Sequence, residues 1–409
     1  MSKGLCKSFI VYSILLVILN VQQGFCKNND LKTQAYELLK KYTTDSLNLR
    51  PLLGPNNIHI EKIKGSQLIL LTAQPYIHQP HLTTIDINLK KMVSNLKTPT
   101  SDYIFTRFDV SDDSMYVVNC LHPEELFSTS LTLEGYKKRN LSSIFKSSNI
   151  LPKDIIVHHN RLYTINDTHG FTSVTLDNLE NSYLGIDSKR AQYINSVISL
   201  PLDNVLNLAS SSNNDKILFN AVDANNKVRW IDTLEREEAT ISTLNPTEIH
   251  NQSNNFIVFH NGILINYNKY TGSKKWEKRL YKNVIKVRVS HTFIYKDNII
   301  VYTLTDTSGY YPTPETEFIA TVQMYDLNTA ELKWSSEFNS LGNSNAGFVN
   351  KYLFVYSDKI FKVINVEDGV ELGNIVYSNS QKTPVSFKTL RDMCTGKYYL
   401  LTTDEILFW

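Results

Sequence analysis

The sequence predicts an all-β chain folded as a β-propeller, with eight blades or alternatively seven, and a short helix near the N-terminus. From about residue 55 onward, short β-branched and aromatic runs alternate with Asn, Asp, Ser and Gly turns. That texture is typical of antiparallel strands. One apolar strand then recurs at intervals averaging about 47 residues, close to the ~40–50 residues of a propeller blade.

The recurring strand consists of a polar turn residue followed by a dense apolar run. Its eight copies are 67–71, 114–118, 161–165, 216–219, 262–265, 298–302, 351–355 and 397–401. The last copy belongs to a unit of only three strands, so closing the ring requires a fourth strand from within residues 45–60. Closure removes the exposed edges that a ring of sheets would otherwise leave. A seven-bladed ring with a spare C-terminal hairpin is the alternative.

A turn with a trailing tryptophan follows several of these strands. Residues 268–276 read N-K-Y-T-G-S-K-K-W, and residues 326–334 repeat the spacing with Ala330 in place of the glycine. Residues 365–373 keep the turn and lose the tryptophan, and residues 223–230 are a shorter relative. A small residue permits a tight turn, and an indole ring can fill the gap between neighbouring blades.

The D-x-x-T-G-x-x-x-W spacing resembles the PQQ-like repeat of quinoprotein dehydrogenases and their non-enzymatic relatives. The good matches cover residues 205–377. The resemblance implies an eight-bladed propeller in a superfamily that includes quinoprotein alcohol dehydrogenases. Those enzymes carry adjacent cysteines over the quinone, an Asp base and acidic calcium ligands. This sequence has no adjacent cysteine pair and no segment that matches the calcium-ligand pattern. We therefore expect the non-enzymatic branch, with no cofactor.

The first 26 residues read as a signal peptide, with Lys3 and Lys7 before a short apolar stretch and cleavage near Cys26. Residues 27–54 then form an N-terminal helix and linker, and residues 55–409 form the propeller. The helix is expected over 31–44, packed against the edge of the propeller. The mature chain has no apolar segment long enough to span a bilayer, so we expect a protein that is secreted or resides in the secretory lumen.

The charge balance of 42 basic and 40 acidic residues gives no reason to expect a nucleic-acid partner. Asn140, Asn166 and Asn251 begin N-x-S/T sequons, which predict a glycoprotein on the secretory route. Only Cys120 and Cys394 remain after cleavage. Cys120 ends the second strand of its blade and Cys394 lies in a first-to-second strand loop, so they face opposite ends of the ring. We expect no disulfide between them.

Few residues suggest a reactive or metal site. His78 and His81 form an H-x-x-H pair, but the loop offers no third ligand for zinc, so a polar loop is the favoured interpretation. No nucleophile elbow, Walker or dinucleotide-binding element occurs in a fitting context. Catalysis by residues that converge from distant blades stays open.

Two loops are the candidate partner contacts, because both join the second and third strands of a blade and so share one face. Their candidate residues are Tyr310, Tyr311, Pro312 and Glu315 in one loop, and Tyr76 and His78 in the other. Exposed tyrosines on rigid loops suit partner recognition, since they bury much area at little entropic cost. The alternative is that these loops fold down onto the blades.

The function expected from the sequence is binding, by a propeller that presents a loop-rich face to a protein, peptide or glycan. The alternative is a hydrolase or lyase at the central channel. That alternative predicts titratable side chains from several blades converging in the channel, with perturbed pKa values.

Overall fold

The described part of the chain is almost entirely β-strand. The computed structural model describes residues 33–54, 57–73, 81–97, 105–110, 115–122, 125–131, 154–158, 161–166, 170–175, 181–183, 193–199, 205–211, 216–223, 228–235, 248–252, 254–260, 262–281, 286–306, 318–340, 344–357, 360–376, 387–392 and 395–409. Its strands form eight sheets, seven of four strands and one with three described strands. For the second and third sheets the description covers the backbone.

Each of the first seven sheets is built from strands that follow one another along the chain. The first sheet contains β2 (Asn57–Lys64), β3 (Gln67–Ala73), β4 (His81–Asp86) and β5 (Lys91–Lys97). The second contains β6 (Phe105–Val110), β7 (Met115–His122) and β8 (Glu125–Leu131). The third contains β9 (Asp154–His158), β10 (Arg161–Asn166), β11 (Gly170–Thr175) and β12 (Asn181–Tyr183). The fourth contains β13 (Tyr193–Ser199), β14 (Val205–Ser211), β15 (Lys216–Asp223) and β16 (Val228–Glu235).

The second half of the chain continues the same order with fuller side-chain detail. The fifth sheet contains β17 (Glu248–Gln252), β18 (Asn255–His260), β19 (Ile263–Asn268) and β20 (Lys274–Arg279). The sixth contains β21 (Lys286–Tyr295), β22 (Asn298–Asp306), β23 (Phe318–Asp326) and β24 (Leu332–Ser340). The seventh contains β25 (Ser344–Val349), β26 (Tyr352–Ser357), β27 (Ile360–Asn365) and β28 (Glu371–Val376). The eighth contains β29 (Phe387–Arg391), β30 (Tyr398–Thr402), β31 (Glu405–Phe408) and, from the N-terminal side, β1 (Asp45–Asn48).

The sheets are arranged radially and the ring is closed. The first strands of successive sheets lie beside one another from β6 through β9, β13, β17, β21 and β25 to β29, and β29 lies beside β2 of the first sheet. These first strands therefore line the centre. Strand β1 pairs with β31 from Asp45 opposite Phe408 to Asn48 opposite Glu405. The closing strand comes from within residues 45–60, as predicted. It lies before residue 55, which the sequence analysis gave as the start of the propeller.

Six of the eight recurring strands predicted from sequence are the second strand of their sheet. The copies at 216–219 and 262–265 were wrong by one strand, since they are the third strands β15 and β19. The true second strands, β14 and β18, make the repeat more even: second strands begin at residues 67, 115, 161, 205, 255, 298, 352 and 398. The error has a physical cause. Both middle strands of a sheet are covered on both faces, so their apolar runs look alike.

Two helices flank the closing strand. The described part of helix α1 covers residues 33–41, where a helix was predicted over 31–44, and it packs against the seventh and eighth sheets. Helix α2 (Arg50–Leu53) is a single turn with a proline at its start, and Leu53 is buried between the first and eighth sheets. The sequence analysis did not predict α2. No helix among the described residues is long and apolar enough to cross a membrane.

A five-residue turn joins the third and fourth strands of the fifth, sixth and seventh sheets, at 268–272, 326–330 and 365–369. Its first side chain accepts backbone N–H groups, as Asn268 Oδ1 does from Tyr270 at 3.0 Å and Thr271 at 3.1 Å. The amide of the fifth residue donates to the carbonyl of the first at 2.9 Å in all three turns. The fifth residue has a left-handed backbone, with φ of 70° at Gly272, 60° at Ala330 and 72° at Gly369.

Related turns occur at two places that the sequence did not indicate. Residues 86–90 form a variant in the first sheet: Lys90 has a φ of 52° and the Leu89 amide donates to Asp86 Oδ1 at 2.9 Å, but the Lys90 amide donates to the carbonyl of Ile87 at 3.3 Å. Residues 392–396 form the same turn between β29 and β30, and the Gly396 amide donates to the Asp392 carbonyl at 2.8 Å. The first copy has lost the small residue, and the second lies between the first and second strands.

Each tryptophan of this pattern docks on the turn of the next sheet. The indole Nε1 donates to the carbonyl of the second turn residue: from Trp230 to Lys269 at 2.7 Å, from Trp276 to Leu327 at 2.8 Å, and from Trp334 to Val366 at 2.9 Å. The rings lie so close that a Cβ on Gly272 would stand 2.5 Å from Trp230 Cγ. Glycine is therefore required there for its missing side chain as well as for its backbone conformation.

The docking predicts opposite effects for two substitutions at the same turn position. Gly272→Ala forces a left-handed alanine, which costs roughly 1–2 kcal/mol, and adds the clash with Trp230, so we expect a loss above about 2 kcal/mol. Ala330→Gly removes the left-handed alanine and is expected to gain about 0.5–1 kcal/mol. Urea unfolding of both variants measures the two effects. Equal stability of Gly272→Ala and the parent would contradict the docking.

Candidate functional site

The six candidate contact residues lie outside the described residues, in the segments 74–80 and 307–317. The strands that flank these segments are described. Strands β3 and β4 flank the first, and β22 and β23 flank the second. Both segments therefore join the second and third strands of their sheets, as the sequence analysis placed them, and leave the ring at the same end. The contacts of Tyr76, His78, Tyr310, Tyr311, Pro312 and Glu315 stay predictions.

The predicted sequons and cysteines are described only in part. Asn166 is the last residue of β10, and Asn251 lies in β17 opposite Phe256. Asn140 is outside the described residues, as is Cys394. Cys120 lies in β7 opposite Phe105 and Leu126. Glycosylation and the absence of a Cys120–Cys394 bond therefore stay predictions.

The described structure shows a polar network on the innermost strands, which no sequence motif indicated. It joins three sheets through Glu248 and His250 on β17, His291 and Thr292 on β21, and Arg391 on β29. Arg391 and His250 belong to the eighth and fifth sheets, so their contact passes over the inner edge of the two sheets between them. The network thus lies where the blades converge.

Hydrogen-bond chemistry sets the direction of this network. Arg391 Nη1 lies 3.2 Å from His250 Nδ1, and a guanidinium can only donate, so Nδ1 is the acceptor. The hydrogen of the neutral ring is then on Nε2, which donates to Thr292 Oγ1 at 2.5 Å. Thr292 Oγ1 donates in turn to Glu248 Oε2 at 2.6 Å, and the Thr292 amide also donates to that carboxylate. The last contact of the network joins Glu248 Oε1 to His291 Nδ1, which lie 3.4 Å apart.

Burial and charge keep His250 neutral. Its side chain is 7% exposed, and burial, with the positive charge of Arg391 second, holds the pKa of His250 well below 6.5. The bond to Thr292 opposes that shift without reversing it. A neutral ring that accepts from Arg391 is what the network requires, so the electrostatics and the hydrogen bonds agree.

An aromatic cluster packs against the side chain of Arg391. Phe293, Phe348 and Tyr398 come from the sixth, seventh and eighth sheets, and their ring centroids lie 5.1–5.9 Å apart. The guanidinium of Arg391 lies 5.7 Å over the Tyr398 ring. The Tyr398 hydroxyl accepts the Ile294 amide at 2.9 Å, and burial raises the pKa of Tyr398. These rings hold Arg391 in the orientation that reaches His250.

The network is partly open to solvent at both ends, because Arg391 at one end is half-buried and so are the members beyond Thr292. The Glu248 side chain is 20% exposed and that of His291 is 35% exposed, whereas Thr292 is 3% exposed. His250 cannot serve as a base for Thr292 in this arrangement, because the nitrogen that faces the hydroxyl already carries a hydrogen. Glu248 and His291 are therefore the carboxylate and the imidazole of the network whose side chains are partly exposed.

The described residues contain no group of three His, Cys, Asp or Glu side chains placed to hold a metal ion. His81, the described half of the H-x-x-H pair, places Nδ1 3.0 Å from Asn95 Oδ1 on the neighbouring strand β5. His81 is the first residue of strand β4, so this half of the pair lies in a strand and not in the loop, whereas His78 is outside the described residues.

Comparison with solved structures identifies the architecture. The WD40 domain of SCAP from fission yeast superposes with a TM-score of 0.56 at 7% identity, covering 90% of this chain and 98% of that one. A quinohemoprotein alcohol dehydrogenase from Pseudomonas putida HK5 gives 0.51 at 8% identity, over 86% and 75% of the two chains. BamB from Moraxella catarrhalis gives 0.50 at 9% identity, over 90% and 99%. The fold is a β-propeller.

These similarities concern the fold alone, because every identity is below 10%. No family model matches the sequence, and no curated protein matches it either. The propellers that superpose include a redox enzyme and a WD40 domain, so the architecture does not choose between catalysis and binding. That choice depends on the channel and the loops of this chain.

The channel network predicts a specific loss of stability in acid. Below pH about 6.5, His250 binds a proton in the unfolded chain but stays neutral in the folded chain, because its folded pKa is well below 6.5. The free energy of unfolding therefore falls as the pH falls, by up to about 1.4 kcal/mol per pH unit. His250→Gln removes that proton uptake. Urea unfolding at pH 7.5 and pH 5 should therefore show a smaller drop in the variant than in the parent. An equal drop in both proteins would mean that His250 is protonated in the folded chain.

Proposed function

We propose that this propeller is a secreted or lumenal binding module, a scaffold for a protein, peptide or glycan partner. The observation that carries the proposal is the state of the channel groups. Arg391, His250 and Thr292 are engaged with one another across three sheets. Groups used in this way stabilise a fixed ring and are not available as a base or nucleophile.

The closed ring supports the proposal from a second direction. Tryptophan docking joins the fourth to seventh sheets in series, and β1 closes the eighth sheet. A ring held in this way presents its loops from a fixed base, which lowers the entropy lost when they bind a partner. The two candidate loops leave the ring at one end, so a single partner can contact both. The signal-like N-terminus and the three sequons support residence on the secretory route.

The double variant Tyr310→Ala/Tyr311→Ala tests the binding face. If these tyrosines are contacts, capture of partners from the secreted fraction by the immobilised chain should fall about tenfold or more, because tyrosines at the centre of an interface contribute strongly. Tyr270→Ala is the matched control. Tyr270 is 37% exposed in the 268–272 turn, which lies at the opposite end of the strands. Equal loss of capture in both variants, or in neither, would contradict the assignment of the face.

A hydrolase or lyase at the channel is the second candidate, and one observation favours it. Titratable side chains from three sheets converge there, with a perturbed histidine among them, as that function requires. Glu248 and His291 would be the acid and base, because their side chains are partly exposed. The partner-binding proposal does not depend on either residue.

The two candidates differ in what Glu248→Gln does. For an enzyme, any turnover of ester, glycoside or uronide substrates by the purified chain should fall at least about 100-fold in Glu248→Gln. Glu331→Gln, an exposed change in a turn at the strand ends, should leave it intact. Absence of turnover in the parent, or turnover that survives Glu248→Gln, would count against the channel as an active site.

A further inference from the structure

The three sequons are confined to one part of the ring. Asn140 lies in the segment that joins β8 of the second sheet to β9 of the third, Asn166 ends β10 of the third sheet, and Asn251 lies in β17 of the fifth. No N-x-S/T sequence occurs in residues 1–139 or 254–409. The sixth, seventh, eighth and first sheets are therefore without a sequon.

These four sheets are consecutive in the ring. Their first strands lie beside one another in the order β21, β25, β29 and β2. We call this series of four sheets the sequon-free arc. The third sheet, which carries Asn166, is four places from the seventh in the series of eight, so it lies on the far side of the ring from the seventh sheet.

The arc includes the two sheets from which the candidate loops leave. Segment 74–80 joins β3 to β4 in the first sheet, and segment 307–317 joins β22 to β23 in the sixth. Because strands alternate in direction, the connections from one sheet to the next leave the ring at this same end, which we call the loop end. The seventh and eighth sheets lie between the two candidate loops there.

The positions of the sequons indicate which surface a partner can reach. Asn166 ends β10 at the loop end, and Asn251 lies beside the hairpin of β17 and β18 at the opposite end. An N-linked glycan is bulky and hydrophilic, so it keeps a protein partner away from the surface around it. A binding surface at the loop end is therefore expected in the sequon-free arc, away from Asn166.

Described side chains at the loop end of the arc have the chemistry of a protein-binding surface. Val376, the last residue of β28 in the seventh sheet, is 68% exposed, and Ile319, the second residue of β23 in the sixth, is 37% exposed. In the eighth sheet Arg50 Nε donates to Asp404 Oδ1 at 2.7 Å, and both side chains are largely in solvent. Aliphatic side chains in two sheets and an exposed ion pair in the next supply an apolar centre and a charged rim.

On the basis of the binding function proposed above, we propose that the loop end of the sequon-free arc is the surface that binds the partner, and that the partner is a folded protein. A stable protein interface buries roughly 800 Å² on each side, which is more than one loop provides. A folded protein seated across the seventh and eighth sheets covers Val376 and Ile319 and reaches both candidate loops. A short peptide or a glycan contacts a single loop and leaves the rest of the arc exposed.

Two single substitutions place a new glycan inside and outside the arc. Val376→Asn creates the sequence N-Y-S at 376–378, and Ile231→Asn creates N-D-T at 231–233. Both replace an exposed aliphatic residue on the fourth strand of a sheet, since Ile231 is 54% exposed on β16 of the fourth sheet. The probe is the most abundant protein that the unaltered chain captures from the secreted fraction, purified and measured by surface plasmon resonance. Glycosylated Val376→Asn should bind it at least about tenfold more weakly than the unaltered chain, and Ile231→Asn within about twofold.

Two further variants separate the glycan from the substitution and the arc from the rest of the loop end. Val376→Asn combined with Ser378→Ala carries the same asparagine without a sequon and should recover most of the binding. Asn166→Gln removes a sequon at the loop end outside the arc and should leave binding unchanged. Gel mobility shows whether each glycan is present, and thermal unfolding shows that each chain is folded. Val376→Asp with Ile231→Asp as its control gives the same comparison without glycosylation.

The outcomes distinguish this surface from the binding function itself. Equal binding by the glycosylated Val376→Asn and Ile231→Asn chains, or by the two aspartate variants, would overturn the assignment of the arc. Loss of binding in the Tyr310→Ala/Tyr311→Ala variant with no loss in the Val376 variants would indicate a peptide held by one loop, and so would contradict a folded partner. A chain that captures no protein at all would contradict the proposed binding function.

Discussion

The docking of a tryptophan on the turn of the next sheet is the interaction on which the described ring depends. Each turn offers a carbonyl at its second residue and a left-handed backbone at its fifth. The indole Nε1 donates to that carbonyl, and the indole ring packs over the fifth residue, most closely where that residue is glycine. A four-stranded sheet buries little on its own, and stacking against its neighbours completes the core. At the three junctions that use this docking, the small residue at one turn position is therefore required by the neighbouring sheet.

The ring is completed by different means where this docking is absent. Between the seventh and eighth sheets, Gly373 removes the indole and Leu38 of helix α1 takes its place. At the last junction, β1 adds the fourth strand, and Asp392 Oδ1 accepts the Gly65 amide of the first sheet at 2.9 Å. The N-terminal segment therefore contributes a helix and a strand to the same eighth sheet.

The centre of the ring combines sheet-to-sheet bonds with a cluster of titratable side chains. The direction of the hydrogen bonds decides its chemistry, since His250 accepts from Arg391 and so cannot accept from Thr292. The network connects three sheets, and the side chains of Glu248 and His291 in it are partly exposed. The mutual engagement of Arg391, His250 and Thr292 is the reason that we propose binding rather than catalysis for this chain.

The sequence by itself determined the strand texture, the repeat length, the turn that carries tryptophan and the closing strand, because these follow from local patterns and counting. It did not distinguish second from third strands in the fourth and fifth sheets, since both are covered on two faces and equally apolar. It also missed the turns at 86–90 and 392–396, which keep the left-handed fifth residue with a different residue type or at a different connection. Only the tertiary structure decided the channel network and the position at which α1 packs. Glu248, His250, His291 and Arg391 are far apart along the chain and follow no spacing, and Leu38 meets Gly373 only because ring closure brings the first helix to the seventh sheet.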